Sequence, residues 1–427
     1  MSLLSSVSPN PKSKIAMLRA VATAYRDAFS GLNRNVWLLS IASLVNRSGT
    51  MVMPFLTLYL VEKRGFTTTQ AGQVLALYGL GAMVASYAGG WLCDRFGSVQ
   101  VMRVSLGLTG LSFLLLGHLR SRLAITGMVL ALSLVGEAFR PANLSALAAA
   151  AGPELRARGF ALLRLAANLG MTLGPSVGGF LALHDYGWLF LADGATCLLA
   201  TGLLFFIPPL RSAAPAPGEP VRRPGGGSSP WRDGPFLAMM GLMFLMTVVT
   251  FQIVSTFPLT LHDLYGFSEA KIGLTLAVNT LIIVAFEMVL VHSLSRHDPM
   301  AVVGAGALIF CGGMALLPLG SSFLYVAFTV VVWTVGEMLV FPMLSAVVAD
   351  RAGADSLGRY MGVLNLAAAM AFVAAPLAGT WVYQHFGMRA LWFGCGGLGV
   401  VAWAGFRLLA AGAAARRQAP GQEVAGV

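Results

Sequence analysis

Val135–Ser145 reads VGEAFRPANLS, and 200 residues later Val335–Ser345 reads VGEMLVFPMLS. The echo extends outward. GFTTTQAG from Gly65 returns as GFSEAKIG from Gly266, and Gly174-Pro175 with Gly178 returns as Ala375-Pro376 with Gly379, both at an offset of 201. A nearly constant offset over three separate segments is the mark of tandem duplication. Each repeated segment lies in or beside an apolar stretch, so the duplicated unit is a set of membrane helices.

Composition agrees. Hydrophobic residues make up 57% and charged residues 11% of 427, against about a quarter charged in an ordinary soluble chain. With a mean hydropathy of +0.77, the chain asks for lipid as its solvent, because water would not tolerate that much exposed apolar surface. Twelve spans are predicted, near 36–61, 69–92, 100–118, 123–149, 158–183 and 187–207, then 235–260, 269–293, 300–320, 322–349, 358–384 and 388–411. All are expected to be helices, since an open strand edge cannot be satisfied in hydrocarbon. The expected fold is therefore an all-α membrane protein of two six-helix repeats. Six is even, so each repeat enters from the same side, and the repeats are parallel, related by an axis along the membrane normal.

The segment from Pro208 to Gly234, PPLRSAAPAPGEPVRRPGGGSSPWRDG, reads as a flexible linker. The expected organisation is a cytoplasmic N-terminal segment (1–35), a first bundle (36–207), a cytoplasmic linker (208–234), a second bundle (235–411) and a cytoplasmic tail (412–427). Ile15 to Phe29 is a candidate for a surface-lying basic amphipathic helix. With a cytoplasmic N-terminus, nineteen Lys and Arg fall on the cytoplasmic side, six on the other, and Arg47, Arg140 and Arg164 inside the membrane. The net charge of +11 is thus mostly positive-inside topology, and no nucleic-acid partner is expected. Four cysteines a hundred residues apart are packing residues.

Between spans two and three, GWLCDRFGSVQVMR runs from Gly90 to Arg103. Gly90, Leu92, Asp94, Arg95 and Gly97 match the loop signature GxLxDRxG, and the chain resembles the major facilitator superfamily, of which parallel halves are a known property. In that family the loop's Asp and Arg latch the halves on the cytoplasmic face, so the resemblance implies this role for Gly90, Asp94, Arg95 and Gly97. The basic pair that usually follows is replaced by Ser98 and Val99. In span five, GMTLGPSVGG is similar to the GxxxGPxxGG motif of the drug:proton antiporters, with Gly170, Gly174, Pro175, Gly178 and Gly179 all matching. The RxxxG that the same branch usually carries in span four is absent, because Leu132 stands four before Gly136. Fragments such as VNRSG and FRPANLSAL also resemble the proton-coupled peptide symporters, but their ExxER would fall on Ser43, Asn46 and Arg47, without either acid.

Ionisable residues inside a bilayer are costly and mark function by default. Arg47 lies about 17 Å into span one, and Glu137 about 21 Å from the outer end of span four, so both reach mid-depth of a core about 30 Å thick and are expected to meet. Arg140 follows three residues after Glu137, and Arg164 sits about 9 Å into span five. One acid thus faces three bases, an arrangement that serves either a solute with a negative group or a permanent structural network. Glu337, the repeat partner of Glu137, has no intramembrane Lys or Arg in its half. Burial favours the neutral acid, which makes Glu337 the better isolated proton carrier. The resemblance places spans one, four, seven and ten around a central cleft, and so implies that Arg47 and Glu137 line it. Glu287 and Asp193 are expected to snorkel near helix ends. Pro141 and Pro342 are expected to kink the helices beside the two acids.

The expected function is proton-coupled efflux of a small organic solute by alternating access, with uptake of a peptide-like or anionic solute second, and a membrane sensor or enzyme third. Protons are the coupling ion. No cofactor, metal site or catalytic set is expected, and the protein is taken to work as a monomer, multi-pass in a bacterial inner membrane with both termini cytoplasmic.

Overall fold

The computed structural model describes residues 31–208, 229–294 and 297–418, and among them the chain is helical, with no strand. The predicted amphipathic segment 15–29 and most of the linker and tail lie outside the described residues. In the first half run α1 (Arg34–Ser48), α2 (Val52–Arg64), α3 (Thr68–Phe96), α4 (Ser98–His118), α5 (Arg122–Gly136), α6 (Phe139–Ala182) and α7 (Gly187–Leu204). The second half holds α8 (Gly234–Thr250), α9 (Gln252–Ser255), α10 (Phe257–Tyr265), α11 (Glu269–Leu294), α12 (Pro299–Leu316) and α13 (Phe323–Gln418).

Among the described residues, ten helical stretches are long and apolar enough to cross a membrane. The predicted fifth span is not among them, and the predicted eleventh and twelfth fall within one stretch, Arg359–Gly412. At 1.5 Å per residue those 54 residues would extend about 81 Å, far beyond one bilayer. The chain therefore turns within the stretch, and Gly387, at φ +80°, supplies a left-handed backbone there. Helix length and composition thus give ten such stretches among the described residues, where the sequence reading gives twelve spans.

The duplication is visible in the backbone. Gly65 and Gly266, the first residues of the GFTTTQAG echo, end α2 and α10 at φ +65° and +62°. In each, the following Phe N–H bonds back to a leucine carbonyl, Phe66 to Leu60 and Phe267 to Leu261, at 3.0 Å. Only glycine adopts this conformation without Cβ strain. The helix starts correspond as well. Asn33 accepts from Val36 N–H at 3.0 Å, and Asp233, 200 residues on, accepts from Phe236 N–H at 3.1 Å.

The first and seventh predicted spans are both interrupted in mid-course. α1 stops at Ser48 and α2 resumes at Val52; α8 stops at Thr250, and short α9 intervenes before α10. Pro54 and Pro258 stand in the first turns of α2 and α10, where a missing N–H costs least.

The halves meet near the face that carries the Gly65 and Gly266 turns. A Cβ at Gly72 would lie 2.6 Å from the Pro376 carbonyl, one at Gly273 2.3 Å from the Pro175 carbonyl, and one at Gly179 2.4 Å from that of Glu269. Glycine is what permits backbone to touch backbone here. Around this contact, Thr69 Oγ1 bonds Gln384 Oε1 at 2.6 Å, Tyr186 bonds Glu269 at 3.1 Å, and His262 Nδ1 lies 2.9 Å from Glu62.

Candidate functional site

Glu137 stands in a helix break. α5 ends at Gly136 and α6 begins at Phe139. Pro141 has no N–H to offer the Glu137 carbonyl, which is why the helix opens at that point. In the second half α13 runs through Pro342 without a break, so Glu337 sits inside a continuous helix. The expectation of a kink beside each acid thus gives an interruption in the first half and none in the second.

The partner of each acid lies on a neighbouring helix. Tyr78 on α3 donates its hydroxyl to Glu137 Oε1 at 2.8 Å. Asn279 on α11 donates to Glu337 Oε2 at 2.9 Å and also bonds Thr334 Oγ1 at 3.0 Å. Tyr78 and Asn279 are 201 residues apart, the offset of the duplication. Each repeat therefore holds its acid with one neutral donor from the same place, in one copy a phenol and in the other an amide. Sequence reasoning missed both donors, although applying the repeat offset to the polar residues of spans two and eight selects them.

Among the described residues no ion pair joins Arg47 to Glu137. Arg47 is half-buried in the last turn of α1, and its charge acts, with those of Glu137 and Asp193, on the Tyr78 hydroxyl. Arg140 is exposed on the first turn of α6. Arg164, lower on α6, pairs with Glu287 of α11, an ion pair between the two halves. The three arginines that the sequence sets against one acid are thus dispersed, with Arg164 engaged elsewhere.

Two acids depart from the snorkelling expected of them. Asp193 on α7 is 2% exposed, and it accepts from Met51 N–H at 2.9 Å and Val52 N–H at 3.0 Å. It caps α2 at the break in span one, because four N–H groups at a helix start have no partner of their own and a buried start must find one. Glu287 is 12% exposed at its side chain and is fixed by Arg164. Its charge also reaches Glu337.

The glycine-rich motif serves the same break. A Cβ at Gly170 would lie 2.5 Å from Arg47 Cβ, one at Gly174 2.9 Å from the Thr50 carbonyl, and one at Gly178 2.9 Å from Met51 Cβ. The three glycines form the smooth face of α6 on which the interruption of span one rests, while Gly179 and Pro175 face α11 of the other half. By contrast, Gly90 and Gly97 of the loop motif meet nothing within 4 Å. Gly97 has φ +84°, and Asp94 and Arg95 are exposed, Arg95 lying over the rings of Trp91 and Phe96 at 5.5 and 5.6 Å.

The comparisons agree with this architecture. The chain is 28% identical over 341 residues to the uncharacterized MFS-type transporter YqjV of Bacillus subtilis, covering 77% of this chain and 82% of that one. It is 24% identical over 372 residues to a Na(+), Li(+), K(+)/H(+) antiporter of Planococcus maritimus, covering 78% and 86%. Multidrug resistance protein MdtH of Yersinia pestis is 24% identical over 374 residues, covering 83% and 89%. In fold, the chain is similar to a bacterial homologue of the human lysosomal transporter Spinster in an inward-facing, unoccupied conformation, with a TM-score of 0.76 at 14% identity, over 90% of this chain and 98% of that one. The Major Facilitator Superfamily profile matches residues 36–372. With that match across most of its length, the chain belongs to the Major Facilitator Superfamily and is a multi-pass membrane transporter.

Proposed function

We propose that the protein exports a small organic solute in exchange for protons by alternating access between its halves. The observation that carries this reading is the pair of repeat-equivalent acids, Glu137 and Glu337, each met by a single neutral donor. A guanidinium partner would hold a carboxyl permanently charged, whereas the Asn279 amide leaves Glu337 free to gain and lose a proton during a cycle. Names among the relatives, a cation/H(+) antiporter and MdtH multidrug resistance proteins, support exchange and export.

In this reading the Gly65 face is external and both termini are cytoplasmic. The close glycine contacts seal the outer side, and solute enters from the cytoplasm. A negative group on the solute meets Arg47 and Arg140 and competes with Glu287 for Arg164, which loosens the bond between the halves. Rocking then opens the outer side, solute leaves, and Glu337 takes a proton whose later release on the cytoplasmic side resets the cycle. Uptake of a peptide-like or anionic solute with protons is the second reading, and it draws on the same arginines.

A thermal-shift screen of purified protein against metabolites and drugs identifies the solute, since binding to the native state raises the melting temperature. Flux of that solute in proteoliposomes with an imposed pH gradient then decides. Accumulation in the acid compartment is the expected result of exchange, accumulation in the alkaline compartment selects uptake, and gradient-independent equilibration overturns proton coupling.

A further inference from the structure

The break in span one is clamped from two sides. α6 presents Gly170, Gly174 and Gly178 to Arg47, Thr50 and Met51. α7 presents Asp193 to the N–H groups of Met51 and Val52, and packs Thr196 so closely that a Cβ at Gly49 would lie 1.8 Å from its Oγ1. One turn along α7, Cys197 Sγ accepts from Asn46 Nδ2 at 3.4 Å. The residues on α7 thus grip both sides of the interruption, Asn46 before it and Met51 and Val52 after it, with Arg47 between them.

A carboxyl group 2% exposed is expensive unless its oxygens find donors. Here both oxygens accept backbone bonds at the start of a 13-residue helix. A carboxamide in the same place could accept only one of these bonds, since its nitrogen would confront the other N–H. The titratable groups that face this cluster are Arg47 on α1 and Glu137 in the break between α5 and α6, together with the neutral hydroxyl of Tyr78 on α3 and the neutral thiol of Cys197 on α7.

From this geometry we infer that Asp193 is a positioning residue, whose paired bonds to Met51 and Val52 fix the interruption of span one and thereby aim Arg47. The inference rests on the reading of Arg47 as the group that meets solute. It deepens that reading by naming what sets the guanidinium's direction. Helices interrupted at mid-membrane expose backbone groups that must be satisfied within the protein, and Asp193 does this for the interruption that adjoins Arg47.

The test needs no solute. Phenylglyoxal modification of native arginines, read by peptide mass spectrometry, reports the accessibility of Arg47, with exposed Arg122 and Arg407 as internal references. Hydrogen exchange reports the amides of Met51 and Val52. Asp193→Asn is expected to speed exchange at those amides about tenfold, the scale set by losing a buried hydrogen bond. It is also expected to change the Arg47 modification rate while Arg122 and Arg407 stay constant. Faster exchange with unchanged Arg47 modification would make Asp193 a stabiliser of the break alone and overturn the positioning role, as would no change in either. Asp193→Glu covers the case in which the amide variant does not assemble. Its longer arm moves the cap without removing it, so Arg47 modification must still change, and a native rate overturns the inference. Failure of the transport reading shows separately, as normal solute affinity in Arg47→Ala.

Discussion

The two halves hold the same acid at the same place and treat it differently. Glu137 occupies a helix interruption and takes a phenol hydroxyl from Tyr78, a side chain on which Arg47 also acts. Glu337 sits in unbroken helix, takes an amide hydrogen from Asn279, and has Glu287 as its charged neighbour. In the function proposed above, a single duplicated scaffold holds a charge-rich half for the solute and a charge-poor half for the proton. The inter-half pair of Arg164 and Glu287 is where the first half's excess base meets the second half's acid.

Neutralising each acid in turn gives the largest expected contrast. Glu337→Gln should leave solute binding intact and reduce proton-driven flux by about 100-fold or more, the usual scale for removing a proton-transferring group. Glu137→Gln should chiefly change solute affinity, tightening it by about tenfold as a negative charge leaves the neighbourhood of the arginines. Equal loss of proton-driven flux in both variants breaks the proposed division of labour. Exchanging the donors sharpens the comparison at a smaller scale. Tyr78→Phe should raise the solute concentration for half-maximal transport about tenfold, and Asn279→Leu should lower the maximal rate by a similar factor, each the effect of one hydrogen bond to an ionisable group.

The helix starts provide a contrast in stability. Asp233 receives Arg351 Nε and a second guanidinium nitrogen, both at 2.6 Å, and Tyr360 at 3.1 Å, whereas its repeat partner Asn33 donates to the Ala150 carbonyl. The Arg351 hydrogen bonds hold the Asp233 carboxyl below its ordinary range. Asp233→Ala should cost about 2 kcal/mol and Asn33→Ala about 1 kcal/mol, read as thermal stability in detergent. Because the folded value is depressed, the Asp233 contribution is fully present above the unfolded carboxylate value, about pH 4, and is lost as pH falls through the lower folded value. The Asn33 contribution should be flat with pH. An effect as small as that of Asn33→Ala, and the most symmetric, is expected from Gly65→Ala and Gly266→Ala, about 1 kcal/mol each. Unequal costs there would show that the two turns carry different loads.

Much of this was legible before any coordinates. Repeat offsets of 200 and 201 fix which residues correspond, and mean hydropathy fixes the solvent, because both are properties of residue order and composition. Glu137 and Glu337 were legible for the same reason, as acids that no bilayer admits idly. Asp193 was misread as interfacial because hydropathy gives depth along a helix but not the direction a side chain takes, and its partners are backbone N–H groups, which every residue but proline has. Arg164 was misassigned to Glu137 by counting charges within one half. Its actual partner, Glu287, lies 123 residues away on the other half.

Residue order by itself therefore determined the helical class, the duplication, the turns at Gly65 and Gly266 and the presence of buried charge, since each follows from transfer free energy or from backbone sterics read locally. Tertiary structure alone decided that Tyr78 and Asn279 serve the acids, that three glycines seat the interruption of span one, and that Asp193 closes it. Those contacts join helices distant in the chain, and a hydrogen bond of about 3 Å depends on how the helices pack, which no local pattern encodes.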